Sequence, residues 1–283
     1  MTITNIYPLN KIDEKMIRQP IEMYLPLQIL HNKDQYKFLK NDKIKGIDVY
    51  KICDTNVGDP QYSKGKPCTL EEQLEAASII DADEITLTDL ILFDQNGMKP
   101  TNGSFALSIE SYHKFINKYR KDFPDLKLGW VVQAEDFDCW KQTVQYVVQL
   151  KGIETILIPK WECYTSMWGL RSDHRGRTEL TCCLREIEKS TNSIHHRVHW
   201  LGNANSPKAN GICEYLVPKD LKDKIDVQST DTGLWIAELS QFGKADLFKP
   251  RPEKPFEIDL LHGEFDWKDV AALIAEQNKI LSY

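Results

Sequence analysis

The sequence predicts an α/β fold of parallel strands and helices, most simply a single-domain (β/α)8 TIM barrel over residues 1–283. Short apolar runs recur along the chain, and amphipathic helical patterns separate them. Most of the runs lack the polar–apolar alternation of a half-exposed strand, as expected for parallel strands buried on both faces. Eight runs favour a closed barrel over an open doubly wound sheet. No GxGxxG or GxxxxGK[ST] motif follows a run, which weakens the nucleotide-binding form of the open sheet.

The predicted strands are the runs of apolar, β-type composition. They are Ile21–Leu30, Ile47–Ile52, Glu84–Leu87, Leu126–Val132, Thr155–Ile158, Arg197–Leu201, Ile225–Gln228 and Phe256–Leu261.

Helical patterns occupy the intervals between these runs. Thr69–Glu72 has the form of a capping box, which predicts a helix with Leu70, Leu74 and Ala77 on its buried face. The other apolar stripes at helical spacing are Ile109/Tyr112/Ile116/Tyr119, Phe137/Trp140/Val144/Val147, Leu180/Cys183/Leu184/Ile187 and Val270/Leu273/Ile274/Leu281.

Composition narrows the class of protein. The chain has 36 basic and 42 acidic residues, a net charge of −6, which excludes a strongly basic coat for nucleic acid but not a local basic patch. No apolar run approaches the ~20 residues of a membrane span, and the first residues lack the apolar core of a secretory signal. The seven cysteines include no CxxC pair, so we expect reduced thiols and a cytoplasmic location.

Polar side chains follow several predicted strands, where a barrel carries its catalytic groups. Asp54, Asp89 and Asp231 each close an apolar run, Gln133 closes another, and His199 lies in a fifth. A single aspartate at such a place is more often a helix cap, but three in separate units favour a site.

Carboxylates without a metal-ligand set suit chemistry at an anomeric carbon. One carboxylate attacks to form a covalent glycosyl intermediate, and a second serves as general acid and base. Metal binding is the competing use of such a cluster, but no HxH or HExxH motif lies at a strand end, and Cys182 and Cys183 are adjacent on a helix. No metal and no cofactor are therefore expected.

Six short motifs occur in an order that resembles the tRNA-guanine transglycosylases. They are ICDTNVGD, CTLEEQLEAASIIDADEITLTD, GWVVQAED, ILIPK, HWLGN and VQSTDTG, and the likeness runs from about Gly46 to Phe256. It is closer to the compact phage-encoded branch, the queuine or archaeosine tRNA-ribosyltransferase-like proteins that include DNA 7-deazaguanine transglycosylases. The resemblance implies a TIM barrel that exchanges a guanine base for a 7-deazaguanine through a covalent glycosyl–aspartate.

The resemblance also implies roles for particular residues. Asp231 would be the nucleophile at C1′ of the sugar, and Asp54 the acid/base carboxylate for the leaving and incoming bases. Asp89 would read the N1–H and exocyclic amine of the base, and Gln133 its carbonyl edge.

Further substrate contacts are implied around these groups. Lys160 and His199 are expected to contact the substrate, the loop at Gly202 resembles one that packs over the base, and an aromatic side chain would stack on it. The candidates for stacking are Trp161, Trp200 and Trp235.

Two departures from the family pattern stand out. The usual glycine-rich turn after the first aspartate is replaced by Asp54-Thr55-Asn56-Val57-Gly58, which affects the detailed role of Asp54. The CxCxxC…H zinc site of the common tRNA enzymes has no counterpart, because the last cysteine is Cys213. The absent zinc motif favours DNA over tRNA as the polymer.

The partners expected are a nucleic acid and a free 7-deazaguanine base. Arg171, Arg175 and Arg177, in the run RSDHRGR, are the residues expected to contact the phosphate backbone. Two alternatives remain open: a nucleoside hydrolase or glycosidase on the same barrel, and an inactive barrel that binds a modified base. A monomer and a homodimer are both compatible with the sequence.

Overall fold

The computed structural model describes residues 2–7, 21–41, 43–44, 47–55, 68–89, 103–134, 136–159, 174–201 and 229–232. The strands in these segments are β1 (Thr2–Tyr7), β2 (Ile21–Tyr24), β3 (Lys43–Ile44), β4 (Ile47–Asp48), β5 (Tyr50–Cys53), β6 (Glu84–Thr86), β7 (Lys127–Val131), β8 (Ile153–Pro159), β9 (Arg197–Leu201) and β10 (Ser229–Thr232). The helices are α1 (Pro26–His31), α2 (Lys33–Tyr36), a 3-10 turn (Lys37–Lys40), α3 (Leu70–Ile80), α4 (Gly103–Lys114), a π-helical turn (Phe115–Tyr119), α5 (Phe137–Val147) and α6 (His174–Thr191).

Strands β2 and β5 to β9 form a curled sheet in which every pairing is parallel. The backbone of β1 pairs with β2 and with β10, and β10 pairs with β9, so the strand order β1-β10-β9-β8-β7-β6-β5-β2 returns to its start. Strands β3 and β4 form a separate antiparallel pair. Helices separate most consecutive sheet strands between β2 and β9, so the predicted α/β class with a parallel sheet is confirmed.

Several strand boundaries differ from the predicted ones. The run Ile21–Leu30 divides at Pro26, since proline fits the first turn of a helix and opens α1. β1 was not predicted, and its sequence Thr2–Tyr7 is only half apolar. β10 (Ser229–Thr232) begins just after the predicted run that ends at Gln228. The predicted strand at 256–261 and the predicted last helix lie outside the described residues.

The helix predicted from the capping box is α3. The Thr69 side chain accepts a hydrogen bond from the Glu72 backbone N–H at 3.2 Å, and the Glu72 carboxylate accepts one from the Thr69 N–H at 2.8 Å. Its buried face includes Leu70, Leu74 and Ala77, as predicted. No helix in the described segments has the length and apolarity needed to cross a lipid bilayer.

Side chains alternate between the two faces of the curled sheet. The inner face carries a small apolar cluster of Met23, Ile52, Val131 and Leu157. The outer face packs against the helices in a larger cluster that includes Trp130, Trp140 and Trp200. The alternation follows from the two-residue period of a strand, and it decides which residues can face the inside of the curl.

The amino ends of the strands carry a buried polar cluster on the inner face, here called the lower cluster. Glu84, which is fully buried, accepts hydrogen bonds from Tyr50 Oη at 2.7 Å and Thr155 Oγ1 at 2.8 Å, and Arg197 Nη1 lies 3.3 Å away. The Arg197 guanidinium also lies 4.1 Å from the centre of the Tyr50 ring. Gly129 makes room for this carboxylate, because a Cβ there would lie 2.8 Å from Glu84 Oε1.

A second buried carboxylate joins the end of α6 to the start of β9. Glu188 contacts Arg185 Nη1 at 2.8 Å and accepts a hydrogen bond from the backbone N–H of His196 at 2.9 Å. His196 Nδ1 lies 2.9 Å from the same carboxylate. Burial raises the pKa of Glu188, but the hydrogen bonds from His196 and Arg185 outweigh it and the net pKa is lowered.

Candidate active site

The candidate site lies at the carboxyl ends of β5, β6 and β7. Asp54 directly follows β5, Asp89 follows β6 by three residues, and Gln133 follows β7 by two. All three side chains are buried. Because neighbouring parallel strands end at the same edge of a sheet, these residues share one edge, which is where a parallel α/β sheet places its ligands.

Asp89 is held by two side chains from the neighbouring strands. Thr55 Oγ1 donates a hydrogen bond to Asp89 Oδ1 at 2.7 Å, and Gln133 Nε2 donates one to Asp89 Oδ2 at 2.7 Å. The predicted proximity of Asp89 and Gln133 is therefore confirmed. Burial raises the pKa of Asp89 to about 6, while the hydrogen bonds from Thr55, Gln133 and its own backbone act to lower it. At neutral pH the carboxylate is mostly ionised and accepts hydrogen bonds.

The Gln133 amide is bonded to Asp89 through one of its two N–H groups. Reading the carbonyl edge of a base needs an N–H donor, and the second N–H of Nε2 is the group that could supply it. The buried Oε1 atom is without a hydrogen-bond partner among the residues described. As folded, Gln133 can therefore offer a ligand both its Oε1 acceptor and its second N–H, and the role implied by the resemblance stays a prediction.

Asp54 is anchored through its backbone. Its N–H donates to the Tyr24 carbonyl at 2.9 Å, and its carbonyl accepts a hydrogen bond from Gln73 Nε2 at 3.2 Å. The side chain is 8% exposed. Thr55, the next residue, connects this strand end to Asp89.

Gln73 of α3 supports the site from behind and was not predicted as a site residue. Its Nε2 also donates to the Thr86 carbonyl at 2.8 Å, and its Oε1 accepts from Thr88 Oγ1 at 3.2 Å. One fully buried amide thus ties together the ends of β5 and β6. The available signal was a glutamine beside Leu74 on the buried face of an amphipathic helix.

Asp231 lies within β10, and only its backbone is described. It is paired in register with Thr4 of β1, while Ser229, two residues earlier, is paired with His199 of β9. The backbone therefore places Asp231 toward the carboxyl end of a strand of the same parallel sheet. Whether its side chain approaches Asp54 lies beyond the described residues.

His199 and Trp200 lie on opposite faces of β9. His199 is fully buried and is paired with Leu157 of the inner cluster. Trp200 belongs to the outer cluster, where its Nε1 donates to Thr181 of α6 at 3.2 Å. The expectation that Trp200 stacks on a base is corrected accordingly: the ring fills the space between sheet and helix.

Arg177 also has a different place from the one expected. Its guanidinium donates to the Leu201 carbonyl at 2.9 Å and lies 5.8 Å from the Trp200 ring, and the residue is 6% exposed. An arginine that is buried and bonded to the end of β9 is unsuited to contact a phosphate backbone from solvent. Arg177 is therefore a structural residue in this fold.

Other predicted site residues lie outside the description. These are Lys160, Trp161, Arg171, Gly202 and Trp235, together with the side chain of Arg175. Within the segments described, no group of three or more histidine, cysteine, aspartate or glutamate side chains is placed to share a metal ion.

Comparison with models of known protein families gives no match, and comparison with curated protein sequences gives none either.

Proposed function

We propose that the protein is a base-exchanging transglycosylase that replaces guanine in a nucleic acid with a 7-deazaguanine. The observation that carries the proposal is the buried Asp89, held between Thr55 and Gln133 at the carboxyl edge of a parallel sheet. A desolvated carboxylate with both oxygens fixed is suited to accept hydrogen bonds from adjacent N–H groups of a planar base. The sequence motifs around Asp54 and Asp231 add the two carboxylates that the chemistry needs.

The finer fold belongs to the same proposal. We take the curled parallel sheet as the core of a complete (β/α)8 barrel formed by one domain, residues 1–283. Its support is the strand order, which returns from β2 to β1. A barrel brings the carboxyl ends of β5, β6, β7 and β10 around a single opening.

The proposed reaction uses two carboxylates in turn. Asp231 attacks C1′ of the nucleotide, the glycosidic bond breaks, and the departing guanine takes a proton from the carboxyl group of Asp54. The incoming 7-deazaguanine then gives its ring N–H proton to Asp54 and attacks C1′, which breaks the ester to Asp231. Two displacements retain the configuration at C1′.

The polymer and the cellular setting are inferred from the sequence. DNA is favoured over tRNA, since the zinc motif of the common tRNA enzymes is absent. Arg171 and Arg175 remain the proposed phosphate contacts, and the proposed location is the cytoplasm.

The substitution Asp231→Asn tests the nucleophile. If Asp231 only caps a following helix, asparagine serves nearly as well and activity persists. If it attacks C1′, the variant folds and binds the polymer but loses incorporation of labelled guanine by at least about a thousandfold, as expected when a covalent nucleophile is removed. The measurement is label transfer into DNA and into tRNA, together with a denaturing gel for the covalent adduct.

The same assay separates exchange from hydrolysis. A transglycosylase takes up labelled base and leaves a base on every sugar. A nucleoside hydrolase or glycosidase instead releases guanine and leaves an abasic site. An adduct that survives Asp231→Asn would remove Asp231 from the proposed role, and release without uptake would replace the proposed activity by hydrolysis.

A further inference from the structure

Thr55 is the residue through which the end of β5 reaches Asp89. Its backbone carbonyl accepts a hydrogen bond from the Cys68 N–H at 3.3 Å, just ahead of α3. Its side chain donates to Asp89 Oδ1 at 2.7 Å, and the residue is 2% exposed. The hydroxyl is therefore fixed in place and withdrawn from water.

The two donors on Asp89 act together. With Thr55 on one oxygen and Gln133 on the other, the carboxylate cannot rotate without breaking a short hydrogen bond. The backbone N–H of Asp89 also bonds to the carboxylate, and the acceptor capacity that remains is available to a ligand. A base with two adjacent N–H donors meets a carboxylate whose plane is already set, which reduces the ordering required on binding.

The same donors decide the charge of Asp89. Burial favours the neutral acid, and hydrogen bonds to the carboxylate favour the ionised form. Among the described residues, the other titratable groups at the ends of these segments include Asp54 and Cys53 at the end of β5 and Cys68 ahead of α3. Thr55 and Gln133 themselves are neutral. A protonated Asp89 would present an O–H where the base presents N–H, and two donors would then face each other.

We infer that Thr55 is a positioning residue that keeps Asp89 oriented and ionised, so that the site accepts the donor edge of a purine-type base. The inference rests on the proposed function for the identity of the ligand. Its effect on Asp89 is a property of the free protein and can be measured without the reaction.

The test compares Thr55→Val, which removes the hydroxyl at nearly constant shape, with Thr55→Ser, which keeps it. The first measurement is the titration of the Asp89 carboxyl carbon by NMR in the full-length protein, with the signal assigned by its loss in Asp89→Asn. We expect a midpoint near 6 in the wild type, because burial raises the pKa of Asp89. The midpoint should rise by roughly one to two pH units in Thr55→Val and stay close to wild type in Thr55→Ser.

The second measurement is calorimetric binding of free guanine from pH 6 to pH 9. Thr55→Val should bind about two- to tenfold more weakly than wild type at pH 7 and recover at pH 9, where Asp89 ionises in both proteins. Thr55→Ser should follow the wild type throughout. Circular dichroism checks that each variant is folded.

The possible outcomes distinguish failure of the role inferred for Thr55 from failure of the proposed function. An unchanged Asp89 midpoint in Thr55→Val overturns the inference, whether or not guanine binds. Equal behaviour of the serine and valine variants also overturns it, because the methyl group rather than the hydroxyl would then matter. A shifted midpoint in a protein that binds no guanine supports the role of Thr55 and contradicts the proposed function.

Discussion

Burial of Asp89 makes ionisation of its carboxyl group unfavourable, and the hydrogen bonds from its neighbours offset only part of this effect. Its pKa of about 6, raised by burial from an ordinary value of 3.8, means that the folded protein holds this proton more tightly than the unfolded chain does. Between about pH 4 and pH 6 the folded state binds more protons, so the free energy of unfolding falls as the pH rises through this window. Above about pH 6, the ionised side chain lowers the free energy of unfolding by about 3 kcal/mol, since each unit of pKa corresponds to about 1.36 kcal/mol.

The substitution Asp89→Asn should therefore stabilise the protein and inactivate it. We expect a higher free energy of unfolding at pH 7.5, by up to about 3 kcal/mol, and little difference from wild type at pH 4. Guanine binding should be lost at pH 7.5, where the wild-type carboxylate is ionised. Urea unfolding checks stability, with the exposed Asp122→Asn as a control that should change neither property. A destabilised Asp89→Asn at pH 7.5 would contradict the account of burial.

The site residues show what sequence can and cannot predict at this scale. Asp89 and Gln133 were predicted because they follow apolar runs, and polar residues at several strand ends together favour a site. Thr55 and Gln73 were missed, because their importance depends on partners from other strands and from a helix. The expectations for Trp200 and Arg177 failed because the face that each residue occupies is set by the exact register of β9 and α6.

At the scale of elements, the junction of α6 and β9 depends on one carboxylate. Glu188 links the last turns of the helix to His196, the residue before the strand, and Arg185 is its cationic partner. Its pKa is lowered, so its contribution to stability is present above the ordinary value of 4.5 and is lost as the pH falls through the folded value. This junction should therefore be weakened by acid.

The substitution Glu188→Gln should lower the free energy of unfolding by about 2 to 4 kcal/mol at pH 7, because Arg185 is left buried without its counter-charge. The difference from wild type should shrink as the pH approaches 3. Glu186→Gln, on an exposed position of the same helix, is the matched control and should stay within about 0.5 kcal/mol. Thermal unfolding at both pH values measures the effect, and equal losses in the two variants would refute it.

Most elements between β5 and β9 were predictable from local signals. The capping box at Thr69 marks the start of α3, and the apolar runs of β7, β8 and β9 coincide with the observed strands to within about two residues. β1 was not predicted, because its sequence is half polar and its pairing with β10 joins distant parts of the chain. Pairings of that kind leave no local pattern, since they depend on a partner strand far away in the sequence rather than on the segment itself.

At the scale of the whole molecule, a net charge of −6 requires that any contact with a nucleic acid be concentrated in a small basic region. The structure removes Arg177 from that region and leaves Arg171 and Arg175 as its candidates. Replacement of Arg171 and Arg175 is therefore expected to have a different effect from replacement of Arg177.

Replacing Arg171 and Arg175 together by alanine should weaken binding to DNA of any sequence and reduce the slope of log affinity against log salt by roughly two. Arg177→Gln should instead lower thermal stability and leave that slope unchanged. Fluorescence anisotropy over a range of salt concentrations measures both. If the double variant keeps the wild-type slope, Arg171 and Arg175 do not contact the phosphate backbone.

The lower cluster bears on the route by which a base would enter and leave the proposed active site. Tyr50, Glu84 and Arg197 occupy the inner face at the amino ends of their strands, opposite the edge that carries Asp89. In the proposed barrel these side chains fill the amino end, so a departing base would leave through the carboxyl edge by which its replacement enters. In an enzyme of the proposed kind, the two bases would compete for the same binding site and would occupy it one after the other. The kinetics would be ping-pong, and free guanine would inhibit its own removal from the nucleic acid.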